Sequence, residues 1–132
     1  MRPDAPTVRF RVRPPTLGRP SRVAHPCIIP WNDSAVQMHD RGFMLPFVNE
    51  ACGARQLRMH VSVIDPGKAP HPPHQHAGEE IVFLLEGTAE VLIGSETHVA
   101  RAMTALFFPE NIMHGMRNVG EVPMKYAVIR QA

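Results

Sequence analysis

The chain of 132 residues is 44% apolar and 20% charged, a balance that excludes wholesale disorder and suits one compact domain with a single core. Its 14 prolines and 9 glycines, set between short β-branched or aromatic runs, favour an all-β domain rich in turns. The net charge of +2 is unevenly spread: residues 1–22 carry six arginines against Asp4, and the rest carries eight Lys or Arg against eleven acids, so an arm of +5 precedes a body of −3.

Residues 1–23 read as that arm and 24–132 as one β domain. The arginines (Arg2, Arg9, Arg11, Arg13, Arg19, Arg22) stand among prolines with no aromatic stacking platform. Such a pattern describes a solvated arm, or one docked on a partner subunit, better than a nucleic-acid site. Val8, Phe10 and Val12 alternate with arginines, so V-R-F-R-V-R predicts one edge strand, stopped by Pro14 and Pro15. Pairing of that strand across two copies would give a homodimer. The N-terminus lacks the apolar stretch of a signal peptide, and no run approaches a membrane span, which makes the cytoplasm the expected location. Cys27 and Cys52 stand outside any metal spacing and are expected to be buried thiols.

Beyond the arm, Pro26 to Trp31 is a short apolar run, and Asn32-Asp33-Ser34 is expected to cap one helical turn through Gln37. Gly42 to Val48 predicts a strand that Pro46 confines to an edge or a bend. Gln56 to Ile64 alternates, with Leu57, Met59, Val61 and Val63 on one face and Arg58, His60, Ser62 and Ile64 on the other; which face is inward stays open. Asp65-Pro66-Gly67 turns the chain. Glu80 to Leu85 is apolar on both faces, as in a strand covered on each side. A hairpin follows, Thr88–Ile93 and Glu96–Ala100 about Gly94-Ser95, then strands at Ala105–Phe108, His114–Val119 and Met124–Ile129. Such a series predicts a sandwich, jelly roll or small barrel.

The stretch G-K-A-P-H-P-P-H-Q-H-A-G-E-E-I-V-F-L-L-E-G, from Gly67 to Gly87, brings metal-ligand side chains up to the most apolar strand. His74 and His76 are two apart, so on an extended segment both imidazoles project to one face. Glu80 follows after a turn at Gly78, and His114 lies in a second cluster, P-E-N-I-M-H-G-M-R-N. Three imidazoles and a carboxylate suit one divalent Fe, Mn, Ni, Co or Zn ion and leave up to two open positions. The plainer alternative is a histidine-rich loop beside a hydrogen-bonded core His114. His60, Arg58 and Met116 are candidate pocket residues, Arg58 as a carboxylate anchor if its face is inward. His71 reads as a loop residue near the ligands, and His25, His39 and His98 as exposed.

Together the two clusters resemble the cupin superfamily. His74, His76, Glu80 and Gly87 match its first motif, H-x-H-x3-E-x6-G, and Pro109, His114 and Asn118 match the P-x4-H-x3-N of its second. The departures spare the ligands: Gly67 is one residue further from His74 than the family spacing, Met103 stands at the second motif's first glycine, and Asn111 at its second. The resemblance implies a double-stranded β-helix with the metal in its wider mouth, held by His74, His76, Glu80 and His114. It also implies a metal-dependent enzyme on a small organic substrate. An Fe(II) dioxygenase is favoured because the sequence offers no further acid/base pair for the mouth; a redox-neutral isomerase, lyase or decarboxylase, with Glu80 moving the proton, is the alternative. A non-catalytic metabolite-binding barrel is a third reading.

Overall fold

A computed structural model describes residues 26–132. The arginine-rich arm, the strand expected at 8–13 with its homodimer pairing, and His25 lie outside them. Among the described residues nine strands follow one another: β1 (Gln37–His39), β2 (Gly42–Val48), β3 (Leu57–Ile64), β4 (Glu80–Glu86), β5 (Thr88–Ile93), β6 (Glu96–Arg101), β7 (Thr104–Phe108), β8 (His114–Asn118) and β9 (Met124–Gln131). Six form one sheet in the order β1-β2-β3-β9-β4-β7, and three form a second, β6-β5-β8. The described residues are all-β apart from two single 3-10 turns, and contain no helix long and apolar enough to cross a membrane.

The first of those turns, Asp33–Ala35, is capped as its sequence predicts, the Asn32 side chain accepting the Ser34 N–H. It does not run on through Gln37: Val36 is extended and the chain pairs as β1 with β2. Pro46 is accommodated by both expected devices. β1 reaches only Gly42–Met44, leaving the β2 edge at Pro46 unpaired, and the ladder to β3 shifts between Pro46 and Val48. Cys27 is exposed and Cys52 half-buried, not buried as expected; both are free thiols.

The inward face of β3 is the one carrying His60, Ser62 and Ile64. These pair across the ladder with Val128, Tyr126 and Met124 of β9, whose other neighbours on β4 are Val82 opposite Val128 and Leu84 opposite Tyr126. Ile64, Leu84 and Met124 are fully buried and join Val91, Leu106 and Phe108 in one core. Moving along the same strands the other way, apolar side chains give way to His60, Glu80 and Arg130, so the barrel has an apolar closed end and a polar mouth. The outer face of β4 is barer than its sequence predicts. Ile81 is 43% exposed and aligns with Phe107 and Ile129, which are exposed as well.

Candidate metal centre

Residues 67–74 run beside β8 and are tied to it at both ends. Gly67 N–H donates to the Asn118 carbonyl and Asn118 N–H to that of Lys68, both at 2.9 Å. Forty residues apart in sequence, His74 and His114 exchange both of their backbone hydrogen bonds, at 2.9 and 2.8 Å. Between these ties Pro70, Pro72 and Pro73 lack the N–H that a continuous ladder needs. Gly115 lets the loop lie close, since a Cβ there would sit 3.2 Å from Pro73. Asn111 N–H donates to the His76 carbonyl at 2.7 Å and secures the next candidate ligand. The two sequence clusters are thus joined by main chain before any side chain is considered.

The side chains converge accordingly. Ring nitrogens of His74, His76 and His114 lie within 4.8 Å of one another. The Glu80 Oε2 is 2.9 Å from His76 Nε2 and 3.9 Å from His114 Nε2. The donor atoms are prepared for a cation. Nδ1 of His76 faces the Ala77 carbonyl at 3.0 Å and Nδ1 of His114 faces that of Ile112 at 3.0 Å. A carbonyl oxygen only accepts, so in the neutral His114 ring Nδ1 carries the proton and Nε2 presents a lone pair, whereas the His76 ring faces an acceptor on each side, the Ala77 carbonyl and the Glu80 carboxylate. The Nε2 atoms of His74 and His114 are buried with no hydrogen-bond partner, a costly state for a polar atom unless it serves a ligand. A neutral His76 ring has one N–H for its two acceptors, so either Nδ1 or Nε2 is left facing an oxygen without a proton, and a cation at Nε2 and Glu80 satisfies both. Phe108 stacks on the His114 ring at 4.3 Å and His71 on that of His74 at 4.0 Å, fixing both planes.

Electrostatics favour the ligating form. The His74 pKa lies below the ordinary histidine value, first because burial penalises the imidazolium and then because His71, His114 and His76 repel it. These features fit a divalent metal held by His74, His76, His114 and the Glu80 carboxylate.

The adjoining cavity, of about 370 Å³, is lined by His60 and Met116 but not by Arg58. Arg58 shares the inward face of β3, yet its guanidinium bonds Glu50 at 2.8 Å and the carbonyls of Ala54 and Leu57. His39, expected to be exposed, is half-buried and lines the cavity, as do His71, Arg41 and Arg130. The turn between β1 and β2 delivers His39 and Arg41, and a strand of three residues carries no periodicity by which to find them. His60 has its pKa lowered, chiefly by burial, with Arg130 and His71 adding to the effect and Glu80 opposing it. Tyr126 is buried beside it, hydrogen-bonded to Ser62, and burial pushes its phenol up to about 12.

The description "Cupin domain" belongs to the family whose profile matches residues 60–130. A curated relative, the "Polyketide synthase CurC" of Streptomyces cyaneus, is 33% identical over 69 residues; the match covers 52% of this chain and 45% of that protein, so the chain spans under half its length. The polyketide cyclase RemF of Streptomyces resistomycificus superposes with a TM-score of 0.66 at 18% identity, covering 80% of each chain. An RmlC-like cupin of Shewanella frigidimarina gives 0.67 at 14% identity over 83% of this chain and 94% of its own. At such identities the structures speak for the fold, a cupin-like double-stranded β-helix, while the family match takes in more than half of the sequence. The chain belongs to the cupin family.

Proposed function

We propose that this cupin is a metal-dependent enzyme whose chemistry is redox-neutral, acting on an enolisable carbonyl of polyketide type. The observation that carries the proposal is His60, a half-buried imidazole on the cavity wall, kept neutral and outside the ligand set. Oxygen chemistry was the expectation only while the mouth offered no further acid or base. With Glu80 turned toward His76 and His114, His60 takes the proton-moving role assigned to Glu80 on sequence grounds.

A divalent ion bound by His74, His76, Glu80 and His114 would polarise a substrate carbonyl and make the neighbouring C–H acidic. His60 accepts that proton, and its depressed pKa keeps it in the accepting form at neutral pH. The Tyr126 phenol, with a pKa of about 12, stays protonated and is suited to donate to a substrate oxygen. Val82, Phe108 and Val128 form an apolar wall that excludes water from an enol. Polyketide chemistry is supported by the curated relative's name, and a poly-β-ketone carries the acidic carbons such a site would use.

The test is to offer the metal-reconstituted protein a synthetic triketide thioester under argon. A cyclised or dehydrated product that forms without oxygen, and is lost in the His60→Gln variant, supports the reading. Turnover that requires oxygen returns the protein to the Fe(II) dioxygenase reading, and absence of turnover in both gases favours a metabolite-binding barrel.

A further inference from the structure

The cavity is lopsided in charge. Among the described residues lining it, Glu80 is the only carboxylate and faces two histidines, whereas Arg41 and Arg130 bring two guanidinium groups. Arg41 is the one built into place. Its N–H donates to His39 Nδ1 at 3.2 Å and its carbonyl accepts from Asp65 N–H at 2.8 Å, so its backbone is clamped on both sides. The next residue, Gly42, has φ of 141°, and a Cβ there would fall 2.0 Å from the Val63 carbonyl oxygen, so only glycine permits this turn.

The guanidinium so placed is under-used. Its Nε is buried and has no hydrogen-bond partner. The rest of the side chain reaches the surface, 42% exposed, and its ion pair is to Asp40, 3.3 Å from Nη1 and 85% exposed, where water screens the attraction. A buried N–H donor on a permanent cation, left unpaired, is a costly arrangement that an anionic ligand would relieve. The positive charge of Arg41 also reaches the Tyr126 phenol, which places it over the same chamber as His60. On its other side a second cavity of about 520 Å³ opens, and the two share Arg41, His71, Gly115 and Met116. That outer groove presents Pro72, Pro73 and Leu92, an apolar floor for the remainder of a molecule longer than the inner chamber.

We propose that Arg41 binds a carboxylate of the substrate at the junction of the two cavities, so that the substrate is an organic acid. The reaction-site end lies toward His60 and the metal ligands, and the carboxylate is held by the Arg41 fork. The proposal rests on the reading of the inner cavity as a substrate site and is independent of whether the reaction is redox-neutral.

The experiment compares two probes that differ in one charge: succinylacetone, a β-diketone carrying a carboxylate, and its methyl ester. Binding is measured by calorimetry to both zinc-loaded and metal-free protein. Wild type is expected to prefer the acid by roughly ten- to a hundredfold, the range of a charge-assisted hydrogen bond to a fixed cation. Arg41→Gln should erase that preference while leaving ester affinity unchanged, Arg41→Lys should retain part of it, and Arg58→Gln, outside the cavity, should keep it whole. An acid preference that survives Arg41→Gln, equal affinity of wild type for both probes, or no binding of the acid to wild type would each overturn the proposal. An Arg41-dependent preference in the metal-free protein, with no turnover of any β-diketone by the zinc or the iron form in air or under argon, would sink the enzyme reading and leave Arg41 as an anion site.

Discussion

β8 carries two buried polar side chains on one face, His114 at its first residue and Asn118 at its last, and they are treated in opposite ways. Asn118, at the closed end, donates to the Ile64 carbonyl at 2.9 Å and to that of Val122 at 2.8 Å, and accepts the Gly120 N–H at 2.9 Å. At the mouth His114 has one nitrogen satisfied by its own loop and the other buried without a partner, beside a second such nitrogen on His74. The difference separates glue from chemistry. A buried amide with every strong bond made holds three chain segments together, whereas a buried lone pair without a donor is stability forgone for the sake of a ligand.

That contrast is broken most directly at the mouth. The His74→Ala, His76→Ala double variant should lose metal affinity by more than about a hundredfold, since removing ligands exceeds the loss seen for their supporting partners. Elemental analysis of untagged protein, after reconstitution, checks it; equal metal in variant and wild type would dismiss the site. At the closed end, Asn118→Leu should cost about 2–4 kcal/mol in urea unfolding, because two carbonyls and an amide are left unpaired in the interior. Its folded fraction should still bind metal. Were the two ends alike, metal-free His74→Ala would be destabilised to the same degree; the expected change is under about 1 kcal/mol, since no hydrogen bond of that ring is lost.

Acid should sharpen the same distinction. His60 and His74 have folded pKa values below the ordinary 6.5, both chiefly through burial, so the unfolded chain binds their protons more readily. Stability of the metal-free protein is therefore full above about 6.5 and is lost as pH falls through that value toward the depressed ones. Urea midpoints compared on either side of it test the sign, and a midpoint that stays flat or rises on acidification contradicts it. His60→Phe should flatten the fall in part. The smallest expected effect is at Met103, which holds φ of 67° without being glycine. Met103→Gly should gain up to about 1 kcal/mol in thermal or urea unfolding by relieving that strain.

Met103 and Asn111 also show what was legible in the sequence. Both were visible as departures from family glycines, and both adopt the left-handed backbone those glycines serve, Asn111 with φ of 60°. His74 and His76 were readable from local spacing, whereas the arrival of His114 beside them was expected only through the second cluster of the resemblance. Periodicity marked the long strands but left the inward face of β3 open, and β1, three residues without an apolar pattern, went unseen with the Arg41 turn behind it. Arg58 has the parity of a cavity residue, but the reach of its side chain to Glu50 is a tertiary fact that no alternation encodes.

The paired backbone bonds between His74 and His114, with that of Asn111 to His76, also bear on how an ion would leave. A local opening of the loop detaches two ligands together, and it must first break these amide bonds. Hydrogen exchange at the His74, His114 and Asn111 amides therefore times the release step: if ions depart through that opening, metal lifetime and amide protection lengthen and shorten in step.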